Sequence, residues 1–176
     1  IIGFDPRGVA RSEPVDCLTD SQTDAFIGED PNPDNAAELE EFVASSQGLA
    51  TGCAADAPVL AAAVGTNNVA RDLDVLRAAL DVTTLDYLGF SYGTFIGAVY
   101  AELFPSRVGR FVLDGAMDPT LTNTQLSHDQ ALGFEVALQR YIADCVSKSN
   151  CPLGNAVPAA NARLAEFLAE VEQNPL

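Results

Sequence analysis

Histidine is nearly absent from this 176-residue chain, which has only His128. One imidazole and four cysteines without C-x-x-C spacing give no plausible ligand set for zinc, and neither a metal nor a cofactor is expected. Basic residues are also scarce. Nine Lys and Arg stand against 25 Asp and Glu, a formal net charge of −16, so the field of the whole molecule repels phosphate backbones and anionic lipid. That excludes nucleic acid as a partner. Long apolar runs are missing too: Ala, Gly and charged residues interrupt every stretch before it reaches the roughly 20 residues that cross a bilayer, so no membrane span is expected. There is no secretion signal either. The chain opens on Ile1-Ile2-Gly3-Phe4-Asp5, which reads as the end of a buried strand, so upstream sequence and any signal peptide with it are expected to have been lost.

What is present is enough for one sizeable core, with 48% hydrophobic residues and no repeat or low-complexity stretch. After the opening strand, residues 5–12 carry the Pro and Gly of a tight loop, and residues 13–35, rich in Asp, Pro, Ser and Thr, read as a surface excursion. A helix is predicted over Ala36 to Gln47 with Gly48 ending it, followed by a loop anchored at Cys53. Val69, Leu73, Leu76 and Leu80 recur at intervals of three and four, a second helix with Thr66 and Asn67 as candidate caps. A strand over 85–90, a helix to about Phe104 stopped by Pro105, and a strand over 110–114 form one βαβ unit with a parallel crossover. The fold class is therefore α/β. Beyond Pro119 the pattern holds only helices, about Thr124 to Val146 and Pro158 to Gln173. This divides the chain into a core, 1–119, and a helical cap or lid, 120–176.

Cys17, Cys53, Cys145 and Cys151 read as disulfide cysteines of an oxidising compartment. Sequence leaves their connectivity open, and Cys17 with Cys53 and Cys145 with Cys151 is the simplest pairing. The acidic surface suits cationic ligands such as a peptide's free amino terminus, although acidity also serves solubility alone.

Residues 89–93 read Gly89-Phe90-Ser91-Tyr92-Gly93, a G-x-S-x-G pentapeptide between a strand and a helix. In that order the serine sits on a sharp, strained turn, and the small residues on either side keep the flanking elements from colliding. Ser91 is the candidate nucleophile. The backbone N–H of Tyr92, opening the helix, is the candidate oxyanion-hole donor.

Several segments together resemble the α/β-hydrolase superfamily, and within it the secreted tripeptidyl aminopeptidase branch of the prolyl-iminopeptidase-like serine peptidases. They are Gly3 to Ser12 (GFDPRGVARS), Asp72 to Arg77 (DLDVLR), Gly89 to Gly93, Tyr100 to Pro105 (YAELFP) and Val112 to Pro119 (VLDGAMDP). The position held by Ala10 is commonly Gly in that family, a departure that bears on loop geometry. The resemblance implies an α/β-hydrolase core with a parallel sheet, a nucleophile elbow and the start of a helical cap, incomplete at both ends. It also implies a secreted or cell-envelope Ser-His-Asp exopeptidase that takes peptides with free N-termini through a Ser91 acyl-enzyme. The second oxyanion donor of such enzymes lies in a His-Gly-Gly-type loop after an earlier strand, which this chain lacks.

The triad order Ser, Asp, His places the last two on loops after late strands. The residues after Ser91 are taken up by one strand and the cap helices, so the triad Asp and His are expected outside this chain. His128 reads as a surface or helix-start residue, Asp114 and Asp118 as turn residues at a strand end, and Glu102 as helix surface. Asp5 and Arg7 are expected to form a loop-fixing ion pair. The expected activity therefore belongs to the whole enzyme, and the chain alone is expected to be inactive. Its remaining N- and C-terminal segments could be supplied as a separate chain. An esterase or lipase on the same fold, or a non-catalytic fragment or binding module, are the alternative readings.

Overall fold

In the computed structural model, residues 1–174 are described, and they fall into two compact units that meet in sequence at Pro119 and Thr120. In the first unit, helices α1 (Asp20–Ile27), α2 (Ala36–Asp56), α3 (Pro58–Ala61) and α4 (Thr66–Ala79) precede strand β1 (Leu85–Phe90), helix α5 (Tyr92–Leu103), a 3₁₀ turn (Pro105–Arg107) and strand β2 (Val108–Asp114). The second holds α6 (Asn123–Val146) and α7 (Val157–Gln173). No helix among the described residues is long and apolar enough to cross a membrane.

β1 and β2 pair in parallel, with Leu85 opposite Val108, Tyr87 opposite Phe111 and Phe90 opposite Asp114, and an irregularity in register between Leu85 and Tyr87. α5 is the crossover between them and packs against both strands and α4. It can lie close on the sheet because Gly97 faces it. A Cβ there would stand 2.8 Å from Leu113 Cδ2 and 2.9 Å from the Tyr87 ring. The core gathers Ala70 and Leu73 of α4, Leu85 of β1 and Tyr100 of α5, flanked by Tyr87, Ile96, Val99, Phe104, Val108 and Phe111. Tyr100 is fully buried, its ring 5.2 Å from Phe104 and 5.8 Å from Phe111. Burial raises its pKa, and its hydroxyl reaches Asp74 Oδ1 at 3.2 Å. Asp74 also accepts from Arg77 Nε at 2.9 Å and from Arg107, so α4, α5 and the 3₁₀ turn are joined through one carboxylate. Burial works against that charge, but the bond from Arg77 and the nearness of Arg107 and Arg77 outweigh it and hold the Asp74 pKa below 3.8.

Several local expectations are corrected. Ile1 to Phe4 forms no strand: among the described residues it pairs with neither β1 nor β2, and it borders a groove with Leu73, Leu76, Leu88 and Phe90. The 13–35 stretch holds α1, whose start is closed by a reciprocal box between Thr19 and Gln22. α2 runs through Gly48 to Asp56 and carries Cys53 within it, so Gly48 does not end it. Each of its two interior glycines, Gly48 and Gly52, is unfavourable by only about 1 kcal/mol relative to Ala, and Gly52 leaves room for Cys17, whose carbonyl oxygen would stand 1.9 Å from a Cβ there. Asn35 caps α2, its side chain accepting from Ala37 and Glu38 N–H. Arg7 does not pair with Asp5. Its guanidinium makes a two-pronged bond to Asp72 on α4, at 2.6 and 2.5 Å, while Asp5 accepts from Arg11 N–H at 3.3 Å and lies 3.7 Å from Arg11 Nε. A guanidinium fork matches a carboxylate edge held by a helix better than a loop neighbour two residues away.

Cys17 bonds to Cys53, and Cys145 to Cys151. In the second unit Thr122 and Gln125 form a capping box at the start of α6, and the Cys145–Cys151 bond holds the turn that follows its end. α6 and α7 pack through Ile142 and Ala160, both fully buried, and through the paired amides of Gln139 and Asn161 at 3.0 and 3.3 Å.

Candidate functional site

The backbone breaks sharply where β1 becomes α5. Ser91 has φ +48° and ψ −119°, a conformation that L-residues avoid and that carries roughly 1–3 kcal/mol of strain. Its N–H donates to the carbonyl oxygen of Asp114, the last residue of β2, at 2.9 Å. Its own carbonyl accepts from Thr94 N–H at 2.9 Å and Thr94 Oγ1 at 2.6 Å. Serine at a helix N-terminus ordinarily uses its hydroxyl as a cap. Here the hydroxyl makes no capping bond, and the residue is exposed.

The elbow is tight on the sheet side. A Cβ on Gly89 would stand 2.6 Å from Gly93 O and 2.7 Å from the Tyr87 ring, so only glycine fits. Gly93 has more room, its nearest neighbour being the Tyr87 hydroxyl at 3.4 Å from an added Cβ. That hydroxyl donates to Gly93 O at 2.7 Å, and burial raises its pKa. The Tyr87 ring thus supports the first turn of α5 from below.

Tyr92 is the first residue of α5, where backbone N–H groups lack intrahelical acceptors and the helix dipole is positive. Its ring is about half exposed, stacks on Phe95 at 5.6 Å, and its hydroxyl is hydrogen-bonded to Thr66 at the start of α4. Free N–H groups and a positive dipole end make the start of α5 suited to negative charge.

Asp114 offers its backbone carbonyl to Ser91, and its side chain is exposed. Asp118 follows β2 on an exposed stretch, and Glu102 is exposed on α5. His128 belongs to the second unit, on α6, with Nδ1 3.3 Å from Asp129 Oδ1 and both side chains largely in solvent. Among the described residues no group of three His, Cys, Asp or Glu side chains comes together as a metal site. Sequence reasoning missed Tyr87 and Thr94 and read Thr66 as a helix cap, whereas Gly65 is the N-cap of α4 and the Thr66 hydroxyl is bonded to Tyr92. Only Thr94 left a signal, a threonine three residues beyond Ser91, the spacing at which a hydroxyl back-bonds to a carbonyl of the preceding turn.

Comparison with known proteins agrees with this geometry. The family model described as alpha/beta hydrolase fold matches residues 1–166. The chain is 42% identical over 178 residues to the serine protease Hip1 of Mycobacterium tuberculosis, covering 99% of this chain and 34% of that protein. It is 40% identical over 136 residues to the tripeptidyl aminopeptidase of Streptomyces lividans, covering 76% of this chain and 25% of that protein. It is also 40% identical over 159 residues to the carboxylesterase B of Mycobacterium tuberculosis, covering 88% of this chain and 30% of that protein. The chain therefore spans about a third or less of the length of the curated relatives it matches. With the family model covering nearly all of its length, the chain belongs to the α/β-hydrolase fold family.

Proposed function

We propose that this chain carries the nucleophile of an exported serine exopeptidase that releases short peptides from free N-termini, with Ser91 as nucleophile and Tyr92 N–H as one oxyanion donor. The observation that carries the reading is the state of Ser91: strained backbone, both backbone polar groups engaged, and an exposed hydroxyl left without a capping role. In the proposed reaction Ser91 Oγ attacks the scissile carbonyl while a general base takes its proton. The tetrahedral oxyanion is held by Tyr92 N–H, and collapse expels the amine of the remaining peptide, protonated by the same base. Water then hydrolyses the acyl-enzyme. The base and its supporting carboxylate are proposed to come from outside residues 1–176, since in this fold the triad Asp and His follow late strands and the chain covers 34% of the serine protease relative. The α6–α7 unit is proposed to be part of a helical cap. A net charge of −16 favours substrates with a protonated amino terminus, and the tripeptidyl aminopeptidase relative supports that class. The two disulfides support export.

A second reading, an esterase on the same elbow, is favoured by the carboxylesterase relative. Labelling the full-length protein with a fluorophosphonate and mapping the adduct tests both. The adduct is expected on Ser91 and absent from Ser91→Ala, whose turnover is expected to fall by a factor on the order of 10⁴ or more. An adduct elsewhere, or none on the wild type, removes the nucleophile reading. Tripeptidyl amides with free and acetylated N-termini, run beside short acyl esters, then separate the readings. The exopeptidase cleaves only the free-amine amides efficiently, whereas the esterase prefers the esters.

A further inference from the structure

Thr94 is the one buried polar side chain among the described residues, 1% exposed, and the chemistry just proposed makes no use of it. It sits in the first turn of α5, between the elbow and the segment that follows β2. Its hydroxyl proton points to Ser91 O at 2.6 Å, with Gly115 O the more distant acceptor at 3.4 Å. Its oxygen accepts from Met117 N–H at 3.0 Å. One hydroxyl therefore bridges the strained peptide of Ser91 to the chain leaving β2. Gly115 turns that chain with φ +72°, and an added Cβ on it would stand 3.8 Å from Ser91 N.

The rest of Ser91's backbone is held by the Asp114 carbonyl and by Thr94 N–H. An α5 that was free to relax would draw Ser91 toward ordinary helical angles and swing its hydroxyl, because a φ of +48° persists only where the surroundings enforce it. We propose that Thr94 is a positioning residue for Ser91: its hydroxyl locks the elbow to the Gly115–Met117 segment and so fixes where Ser91 Oγ points. The proposal rests on the reading of Ser91 as the nucleophile. It assigns Thr94 no contact with substrate.

The test is the rate constant and the final extent of fluorophosphonate labelling in the full-length protein, for wild type, Thr94→Val, Thr94→Ala, Thr94→Ser and Ser91→Ala. Valine keeps the shape and removes the hydroxyl, and alanine removes the same hydroxyl should valine not fold. We expect Thr94→Val and Thr94→Ala to reach full labelling at a rate lowered on the order of tenfold to a hundredfold, the scale of a small misplacement of a reacting group. KM is expected to stay near wild type while kcat falls. Thr94→Ser is expected to restore the rate to within about threefold, since it keeps the hydroxyl that positions the elbow. A hydroxyl that serves only to stabilise the fold lowers the final labelled fraction and leaves the rate constant unchanged, and that result overturns the proposal. Should neither valine nor alanine fold, Thr94→Ser decides alone, because a fully labelled serine variant slowed more than about tenfold overturns it and a near-normal rate supports it. Labelling that persists in Ser91→Ala removes the nucleophile reading itself. Labelling confined to Ser91 and unslowed in Thr94→Val removes only the role of Thr94.

Discussion

The N–H of Ser91 donates to the carbonyl oxygen of Asp114 at 2.9 Å, so the last residue of β2 holds the residue that follows β1. The parallel pairing of the two strands, with Phe90 opposite Asp114, ends in a bond that fixes one side of a strained peptide. The elbow is thus a property of two strands and a helix together.

The two glycines of the pentapeptide are not equivalent. Gly89→Ala is expected to destabilise the protein by about 2 kcal/mol or more and to abolish Ser91 labelling, because its methyl group meets the backbone of Gly93 at 2.6 Å. Gly93→Ala meets only the Tyr87 hydroxyl at 3.4 Å and is expected to stay within about 1 kcal/mol of wild type. Urea unfolding midpoints of the two variants check the contrast, and equal losses would contradict it.

Asp74 sets part of the acid response. Its folded-state pKa lies below the ordinary 3.8, so its contribution is complete above that value and is lost as pH falls through the lower folded value. Asp74→Asn is expected to be less stable than wild type at neutral pH by on the order of 1.5 kcal/mol, the scale of hydrogen bonds to a charged group. The gap should close as pH drops below 3.8. Denaturation midpoints measured from pH 7 to about 2.5 test this, and a gap independent of pH would assign the loss to packing.

Ala10 occupies φ +46°, where an alanine Cβ is strained. Ala10→Gly is expected to gain about 0.5–1 kcal/mol, the relief of strain being larger than the added freedom of the unfolded chain. Thermal midpoints of the two proteins under one buffer decide it, and a lower midpoint for the glycine variant would refute it.

The two disulfides should differ in weight. Cys17–Cys53 closes a separation of 36 residues and Cys145–Cys151 only 6, so removal of the first is expected to be the more damaging, at about 4 kcal/mol against about 2 kcal/mol for the second in the chain-entropy account. Paired Cys→Ser variants compared by urea unfolding provide the check, with the order of the two losses as the criterion.

The sequence was legible wherever the chemistry is local. Apolar spacing marks α4 over Val69 to Leu80, and the alternation of breakers and apolar runs marks β1, α5 and β2 in order. The turn chemistry of Gly89 to Gly93 points to Ser91 for the same reason: the residues that permit the elbow are adjacent in the chain. The errors lie where a partner is distant. Spacing pairs Arg7 with Asp5, two residues away, but Arg7 is held by Asp72, which lies 65 residues on. Ile1 to Phe4 has the composition of a strand and forms none, because a strand is defined by its neighbour and not by its own residues.

By itself, then, the sequence determined the α/β class, the acidic surface, the order strand, elbow, helix and strand, and the serine at the turn. Periodicity, charge and steric permission are properties of short segments. Only the tertiary structure decided that Ser91 is tied to Asp114 on one side and Thr94 on the other, and that Tyr87 supports the helix from below. It also decided that Asp74 joins two helices through Tyr100 and its arginines. Those bonds need groups brought together from separate elements, and their geometry exists only once the helices have packed on the sheet.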